Sequence, residues 1–256
     1  MNQKTKILGL IGFPLEHSFS ERYFNNRFRE EGICHAQYAN FPLESIEEFP
    51  GLIEMEPDLC GLNVTSPHKK SVMEYLDNID PVAEEIGAVN TITITKREAQ
   101  KFLTGYNTDI YGFEKSLVPL LEAHHNRALI LGSGGAANAV QYVLKKLGIQ
   151  YSIVTRTVDS EEKLAYEDLT QEIIDNHKLI INCTPLGMYP HTHLYPPIPY
   201  QYLSDKHLAY DLIYNPEKTV FMDKAEQYGC KTSNGLQMLY LQAEKAWEIF
   251  KANKCF

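Results

Sequence analysis

A strand-like apolar run that leads straight into a glycine-rich turn and then into a helical pattern constrains this chain more than any other feature. The stretch ALILGSGGAANAVQYVLKKLG begins at Ala128. Gly132 permits a tight turn, Gly134 lets the backbone approach a pyrophosphate, and the small Ala137 allows close packing of helix on strand. We therefore expect a dinucleotide site with its phosphates at the helix N-terminus. The alternative is a glycine-rich turn in an α/β protein that binds nothing.

Short apolar runs alternate with longer helical patterns over most of the chain, which is typical of an α/β protein with parallel sheets. Expected strands cover residues 6–12, 35–41, 60–64, 88–95, 128–132, 151–155, 178–184 and 207–214. Expected helices cover residues 20–32, the stretch after Pro67, 113–123, 136–148, the region around 167–177 and a final amphipathic segment, LQMLYLQAEKAWEIFKA. The charged stretch TKREAQK, followed soon by the nucleotide pattern, indicates a domain boundary near residue 104.

The strand after the glycine turn indicates the type of dinucleotide, because its end normally faces the adenosine ribose. Thr155, Arg156 and Thr157 stand at this end. An arginine can form a bidentate pair with a 2′-phosphate, and threonine hydroxyls can add donors, which favours NADP. The alternative for Arg156 is an ordinary surface charge, and the acidic residues that follow soon after keep NAD as the weaker alternative.

Charge and composition exclude several classes of partner and site. The net charge is -9, and no basic run is interleaved with aromatic residues, so we expect no nucleic-acid partner. The apolar run near the N-terminus is too short for a signal peptide, and no stretch has the length of a membrane span, which predicts a cytoplasmic protein. The five cysteines show no C-x-x-C spacing, and the HTH at 191–193 lacks a third ligand, so we expect no metal. A monomer or a homodimer fits equally.

The stretch GLNVTSPHKK, residues 61–70, places cations where a helix is expected to begin. Ser66 has the character of an N-cap and Pro67 that of the first helical residue, so Lys69 would fall in the first turn. The helix dipole disfavours a cation there by up to about 1 kcal/mol. This field would favour the uncharged lysine and make Lys69 a better acid toward a developing alkoxide.

Further polar clusters stand at the ends of strand-like runs, where ligands sit in open α/β sheets. They are HSFS (17–20), NVT (63–65), AVNT (88–91) and GYNTDIYG (105–112). Each has a simpler explanation: Asp109 would cap a helix, Ser18 and Ser20 would be N-caps in a loop, and Asn90 would belong to a polar turn. Lys69 alone would more often be solvated than catalytic.

Taken together with GSGGAA, these stretches resemble the shikimate dehydrogenase family from GLIGFPLEHSFS to NGLQMLYLQAEKAW, nearly the whole chain. The resemblance implies a substrate domain (1–103), a Rossmann-type NADP domain (104–234) and a C-terminal helix (235–256) that returns to the substrate domain, with the active-site cleft at the junction. It also implies reversible NADPH-dependent reduction of 3-dehydroshikimate to shikimate.

The family's functional positions can be matched to residues of this chain. The resemblance implies that Lys69 is the catalytic lysine and Asp109 its partner aspartate. It implies that the substrate is bound by Ser18, Ser20, Asn63, Thr65, Asn90, Tyr214 and Gln242. It implies that the cofactor is bound by Gly132, Ser133, Gly134, Gly135, Ala136, Thr155, Arg156, Thr157, Leu212 and Gly235, the last two positions near the nicotinamide.

Two alternatives stand beside this assignment. A quinate or dual quinate/shikimate dehydrogenase shares the fold and the Lys-Asp pair, but relatives that prefer quinate tend to alter the serine pair, and Ser18 and Ser20 are both present here. A regulatory protein of another class would bind a dinucleotide or a shikimate-like ligand without turnover. Loss of the lysine or the aspartate would favour that alternative, and Lys69 and Asp109 are both present.

Overall fold

The computed structural model describes residues 5–16, 18–97, 100–158, 160 and 163–256. The chain divides into two compact units. The first comprises Met1–Thr108 and Ala243–Phe256, and the second comprises Asp109–Gln242. The second unit is therefore inserted into the sequence of the first.

The first unit is built around a mixed sheet. Its strands are β1 (Lys6–Gly12), β2 (Ala36–Pro42), β3 (Leu59–Val64), β4 (Asn78–Ile79), β5 (Thr91–Arg97) and β6 (Gln100–Tyr106), in the spatial order β2-β1-β3-β5-β6-β4. Its helices are α1 (Phe19–Glu30), α2 (Phe49–Met55) and α3 (Pro81–Ile86), with 3-10 turns at Ile46–Glu48 and Ser71–Tyr75. β5 runs antiparallel to β3 and β6, whereas the other pairs are parallel. The expectation of parallel sheets thus fails for this unit, because β5 and β6 pair as close neighbours in the chain.

Residues of β1 alternate between two hydrophobic clusters, as the period of a strand requires. Leu8 and Leu10 pack with Trp247 and Phe250 from the end of the chain. Ile11, the next residue along the strand, belongs to the second cluster. The C-terminal residues thus complete a core that the N-terminal strands begin.

The second unit holds an all-parallel sheet. Its strands are β7 (Arg127–Leu131), β8 (Gln150–Val154), β9 (Lys163–Leu164), β10 (Leu179–Asn182), β11 (Leu208–Asp211) and β12 (Lys231–Ser233), in the order β12-β11-β10-β7-β8-β9. Its helices are α4 (Asp109–Leu117), α5 (Gly135–Lys146), α6 (Gln171–Asn176) and α7 (Val220–Glu226), with 3-10 turns at Val118–Leu120, Tyr166–Asp168 and Tyr200–Tyr202. The final helix, α8 (Leu236–Ala252), begins in this unit and continues into the first.

The strand order of the second sheet reverses between β7 and β10. β8 and β9 lie on one side of β7, and β10, β11 and β12 lie on its other side. Such a reversal at the carboxyl ends of parallel strands is where open α/β sheets bind their ligands. The glycine turn follows β7 directly.

The unit boundaries differ slightly from those expected from the sequence. The 103/104 boundary falls inside β6, because Tyr106 still pairs with Thr91 of β5. The 234/235 boundary precedes α8, whereas the contacts divide that helix at Gln242. Among the helices described, none combines the length and the hydropathy that a membrane span needs.

Candidate active site

Lys69 does not lie in the first turn of an α-helix, so the prediction based on the helix dipole is wrong. Residues 67–70 form turns, and the helical segment that follows, Ser71–Tyr75, is a short 3-10 helix with Lys70 at its N-cap position. The chain has no room for a longer helix here, because it returns to the sheet at Asn78.

Lys69 instead lies in the turn that follows the carboxyl end of β3. Its side chain is half-buried, and its backbone carbonyl accepts a hydrogen bond from the Val89 N–H at 2.8 Å. This bond fixes the turn that carries Lys69 beside the segment leading into β5. Five other predicted substrate residues lie along the same part of the unit, and we call all six the polar edge: Ser18, Ser20, Asn63, Thr65, Lys69 and Asn90.

Asn63 is held on both sides of its amide. The Tyr38 hydroxyl donates to Asn63 Oδ1 at 2.9 Å, and Asn63 Nδ2 donates to Thr91 Oγ1 at 3.1 Å. Burial raises the pKa of Tyr38, and the nearby Ser20 hydroxyl opposes that rise, so Tyr38 stays a neutral donor. The Asn63 side chain is therefore fixed in one orientation before any ligand arrives.

Asn90 holds the segment that leads into α4. Its Oδ1 accepts the Thr108 N–H at 2.7 Å, and its Nδ2 donates to Thr108 Oγ1 at 2.9 Å. Asp109 follows directly, is 6% exposed and is the first residue of α4. Because Asp109 lies inside the first turn, the simple alternative in which it serves as the N-cap is not favoured.

Ser18 and Ser20 stand at the start of α1. Ser18 is at the N-cap position without a side-chain capping bond, and its buried Oγ has no hydrogen-bond partner among the residues described. A buried hydroxyl left unpaired costs about 1–3 kcal/mol, so this atom is suited to a ligand. Thr65 follows β3, and its N–H donates to the Ile11 carbonyl of β1 at 2.9 Å. Thr65 therefore lies where the parallel strands β1 and β3 end.

The glycine turn of the second unit leaves space for a ligand. Gly132 has a φ of +102°, and a Cβ there would lie 3.0 Å from Thr184 Cγ2. α5 begins at Gly135 with Gly134 as its N-cap, and a Cβ on either glycine would meet no protein atom within 4 Å. The backbone N–H groups of this helix end are therefore open to phosphate oxygens. Of the other turn residues, Ser133 is exposed, Ala136 half-buried and Ala137 completely buried.

The end of β8 lies beside the glycine turn. Leu131 pairs with Val154, and the Gly132 N–H donates to the Val154 carbonyl at 2.8 Å. The residues that follow β8 are the buried Thr155, the exposed Arg156 and the exposed Thr157. A guanidinium group is thus available at the sheet edge next to the turn, as a 2′-phosphate would require.

Leu212 and Gly235 lie in direct contact. A Cβ on Gly235 would be 2.0 Å from the Leu212 carbonyl oxygen, so only glycine fits there. Gly235 N–H also donates to the Ile213 carbonyl at 2.9 Å. Of the two remaining predicted residues, Tyr214 is 37% exposed, and Gln242 is half-buried on α8 with its Nε2 donating to the Leu239 carbonyl at 3.0 Å.

A buried polar group close to these loops was missed from the sequence. Asp211, Asn182 and Thr219 are all completely buried, and Asp211 accepts hydrogen bonds from the other two. Burial raises the pKa of Asp211 to about 6, while the hydrogen bonds from Thr219, the Ile213 N–H and Asn182 oppose the rise. The sequence signal that could have indicated Asp211 was an acidic residue inside the apolar run HLAYDLIY.

No group of three or more histidine, cysteine or acidic residues is arranged to hold a metal in the part of the chain that the structure describes. His191 and His193 are exposed in a loop, with ring centroids 6.4 Å apart. The cysteines are all free thiols.

Comparison with known proteins identifies the family of this chain. A family model described as the shikimate dehydrogenase substrate binding domain matches residues 10–92. A shikimate dehydrogenase (NADP(+)) from Methanococcus maripaludis is 39% identical over 99% of this chain and 95% of its own length. A shikimate dehydrogenase solved with NADP+ superposes with a TM-score of 0.84 at 34% identity, covering 97% of this chain and 90% of that chain.

A second solved structure, the shikimate 5-dehydrogenase from Thermus thermophilus in complex with NADP(H) and shikimate, has a TM-score of 0.83 at 29% identity and covers 97% of this chain and 94% of that chain. The likeness therefore spans both units and nearly the full length of the relatives. The chain belongs to the shikimate dehydrogenase family.

Proposed function

We propose that this chain catalyses the reversible NADPH-dependent reduction of 3-dehydroshikimate to shikimate, a step of aromatic amino-acid biosynthesis. The observation that carries the proposal is the polar edge, because all of its residues lie within residues 10–92, the stretch that matches the family's substrate-binding model. The names of the relatives and of the solved neighbours support NADP as cofactor and shikimate as substrate.

The substrate carboxylate binds at the start of α1. Ser18 offers a buried hydroxyl with no partner among the residues described, and Ser20 lies in the first turn. The positive end of the helix dipole favours an anion at this place. The family resemblance also assigns the hydroxyl groups of Thr65 and Tyr214 to this carboxylate.

The ring hydroxyls bind to groups that are already oriented. Asn63 accepts a hydrogen bond from Tyr38, and Asn90 both donates to and accepts from Thr108. Neither amide therefore has to be ordered when the substrate arrives. Such preorganisation lowers the entropy cost of binding. Gln242 contributes a further amide.

The chemistry requires a hydride at the ketone carbon and a proton at its oxygen. NADPH supplies the hydride when it is bound. Lys69 donates or relays the proton to the developing alkoxide, and the Asp109 carboxylate accepts a hydrogen bond from a substrate hydroxyl. Arg156 and the hydroxyls of Thr155 and Thr157 would hold the 2′-phosphate, and residues 132–136 would hold the pyrophosphate.

Replacing Gly134 with alanine should weaken NADPH binding by about tenfold or more without lowering the melting temperature. The added Cβ would meet no protein atom, but it would occupy the space that the pyrophosphate needs. Fluorescence titration with NADPH and thermal unfolding measure the two effects. Gly51→Ala is the matched control, because a Cβ there also meets no atom and Gly51 lies in helix α2 of the first unit. Unchanged NADPH affinity in Gly134→Ala would contradict the assignment of the turn.

Replacing Arg156 with alanine should raise the KM for NADP by about tenfold and leave the KM for NAD unchanged. Arg156 is exposed at the end of β8, so its removal exposes no core and costs little stability. Steady-state rates measured with each cofactor give the two KM values and their ratio. An equal change in both values would show that Arg156 does not read the 2′-phosphate.

The assigned reaction is tested with the purified full chain, shikimate or quinate, and NADP or NAD, by absorbance of the reduced cofactor. We expect the highest kcat/KM with shikimate and NADP. Faster turnover of quinate would favour the quinate or dual enzyme. No turnover of either acid, despite clear dinucleotide binding, would overturn the enzyme assignment and favour a regulatory protein.

A further inference from the structure

The carboxyl ends of β10 and β11 carry a buried pair of polar side chains. Asn182 is the last residue of β10 and Asp211 the last of β11, and the parallel register places them opposite each other. Asn182 is also opposite Leu131, the residue before Gly132. The pair therefore sits next to the reversal of strand order at which an open sheet binds its ligand.

Asp211 accepts hydrogen bonds on both carboxylate oxygens. Oδ1 accepts from Asn182 Nδ2 and from the Ile213 N–H, each at 3.0 Å, and Oδ2 accepts from the Thr219 hydroxyl at 2.6 Å. All three partners donate to Asp211 and none is charged, so the carboxylate acts here only as an acceptor. Burying a charge in such a place costs stability, as the raised pKa of this carboxyl indicates.

The first branch of this network controls the loop after β10. Asn182 Oδ1 accepts from the Thr184 N–H at 3.0 Å and from the Thr184 hydroxyl at 2.6 Å. Thr184 Oγ1 in turn accepts from the Leu186 N–H at 3.2 Å. Thr184 lies against the glycine turn, because a Cβ on Gly132 would be 3.0 Å from its methyl group.

The second branch controls the loop after β11. The Ile213 N–H is fixed by Asp211, and the Ile213 carbonyl accepts from Gly235 at 2.9 Å. Thr219, the other partner, is the N-cap of α7 and accepts from the Met222 N–H at 3.4 Å. One carboxylate thus ties the loop after β10, which contacts the glycine turn, to the loop after β11, which contains Leu212 and accepts a hydrogen bond from Gly235.

We propose that Asp211 is a positioning residue for hydride transfer: through Asn182 it fixes the loop that contacts the glycine turn, and through the Ile213 N–H it fixes the loop that carries Leu212 and contacts Gly235, the two positions assigned to the nicotinamide subsite. This inference rests on the function proposed above. A misplacement of the ring by about 1 Å is enough to cost on the order of 100-fold in rate, which gives a reason to keep a buried charge at this point. Asp211 touches neither substrate nor ring; it acts through the loops.

The isosteric variant Asp211→Asn tests the proposal. Its amide nitrogen would face the Thr219 hydroxyl as a donor, so one of the three bonds must reverse while side-chain size is kept. We expect NADP+ to bind about tenfold more weakly and kcat to fall by about tenfold or more. The binding of 2′,5′-ADP, which lacks the nicotinamide, should stay within about twofold of the unchanged protein. With stereospecifically deuterated NADPH, the isotope effect on kcat should rise, because hydride transfer becomes slower.

Asp168→Asn is the matched control, since Asp168 accepts a single backbone N–H from Ala165 at the exposed surface of the same unit. Asp168→Asn should leave the affinities for NADP+ and 2′,5′-ADP, kcat and the isotope effect on kcat unchanged. Equal weakening of NADP+ and 2′,5′-ADP in Asp211→Asn would mean a merely structural role and overturn the proposal, as would unchanged binding and kcat.

If Asp211→Asn does not fold, Thr219→Val removes the bond to Oδ2 together with the long cap bond from the Met222 N–H, and Thr219→Ser restores the hydroxyl for both. We expect a selective loss of NADP+ affinity in the first and recovery in the second, and the absence of that pattern would overturn the proposal. The ratio of NADP+ to 2′,5′-ADP affinity does not depend on shikimate turnover. The proposal therefore fails or stands separately from the assigned reaction.

Discussion

Replacing Lys69 with alanine is expected to lower kcat for the reduction of 3-dehydroshikimate by about 100- to 10,000-fold, the usual contribution of a positioned proton donor. The ketone oxygen would then have to take its proton from water. The affinity for NADPH should change little, because Lys69 belongs to the first unit and the glycine turn to the second. Initial rates of NADPH oxidation and a fluorescence titration separate the two quantities.

Lys70→Ala is the matched control, since this neighbouring lysine is exposed and makes no side-chain cap. It should retain nearly full activity. Lys69→Arg separates the two roles that Lys69 can have: arginine keeps the positive charge but does not give up its proton in proteins. Recovery with arginine would indicate a positioning charge, and continued inactivity a proton donor. Substantial activity in Lys69→Ala would contradict both.

Replacing Phe250 with alanine is expected to lower the free energy of unfolding of the first unit by about 3–5 kcal/mol. Phe250 is completely buried on α8, with its ring 6.2 Å from that of Phe24. Gly61 of β3 leaves the space for it, because a Cβ there would lie 2.6 Å from Phe250 Cε1. Loss of the ring leaves a cavity that a glycine cannot fill. Denaturant titration measures the change in midpoint.

Glu248→Ala on the same helix provides the comparison. Glu248 is exposed, and its ion pair with Lys245 at 2.8 Å lies at the surface, where such pairs contribute about 0–1 kcal/mol. A small effect there and a large effect at Phe250 would locate the stabilisation in the aromatic core. Similar effects at both positions would contradict the packing that we describe.

Elements with strong local periodicity could be predicted from the sequence. α8 runs from Leu236 to Ala252, as its amphipathic pattern predicts, and β1 covers the expected residues 6–12. Strands β4 and β12 are too short for any period to be recognised. β6 was missed because its pairing with β5, rather than its own pattern, makes it a strand.

The candidate site was predicted unevenly for similar reasons. The glycine turn could be predicted as a turn because it depends on local backbone geometry, and Gly132 has the positive φ that it needs. The helix expected after Pro67 is absent, because local capping signals could not show that the chain returns to the sheet so soon. Asp211 was missed because the partners that make it unusual come from other segments of the chain.

The insertion of one unit into the sequence of the other has a consequence for synthesis on the ribosome. Strands β1, β2 and β3 are made before the inserted unit, but Trp247 and Phe250, which complete their hydrophobic cluster, are made after it. The whole inserted unit must leave the ribosome before that apolar surface can be covered. Asp109–Gln242 can therefore complete its own contacts first, although it is encoded second, and the growing N-terminal segment is the part that needs protection from aggregation.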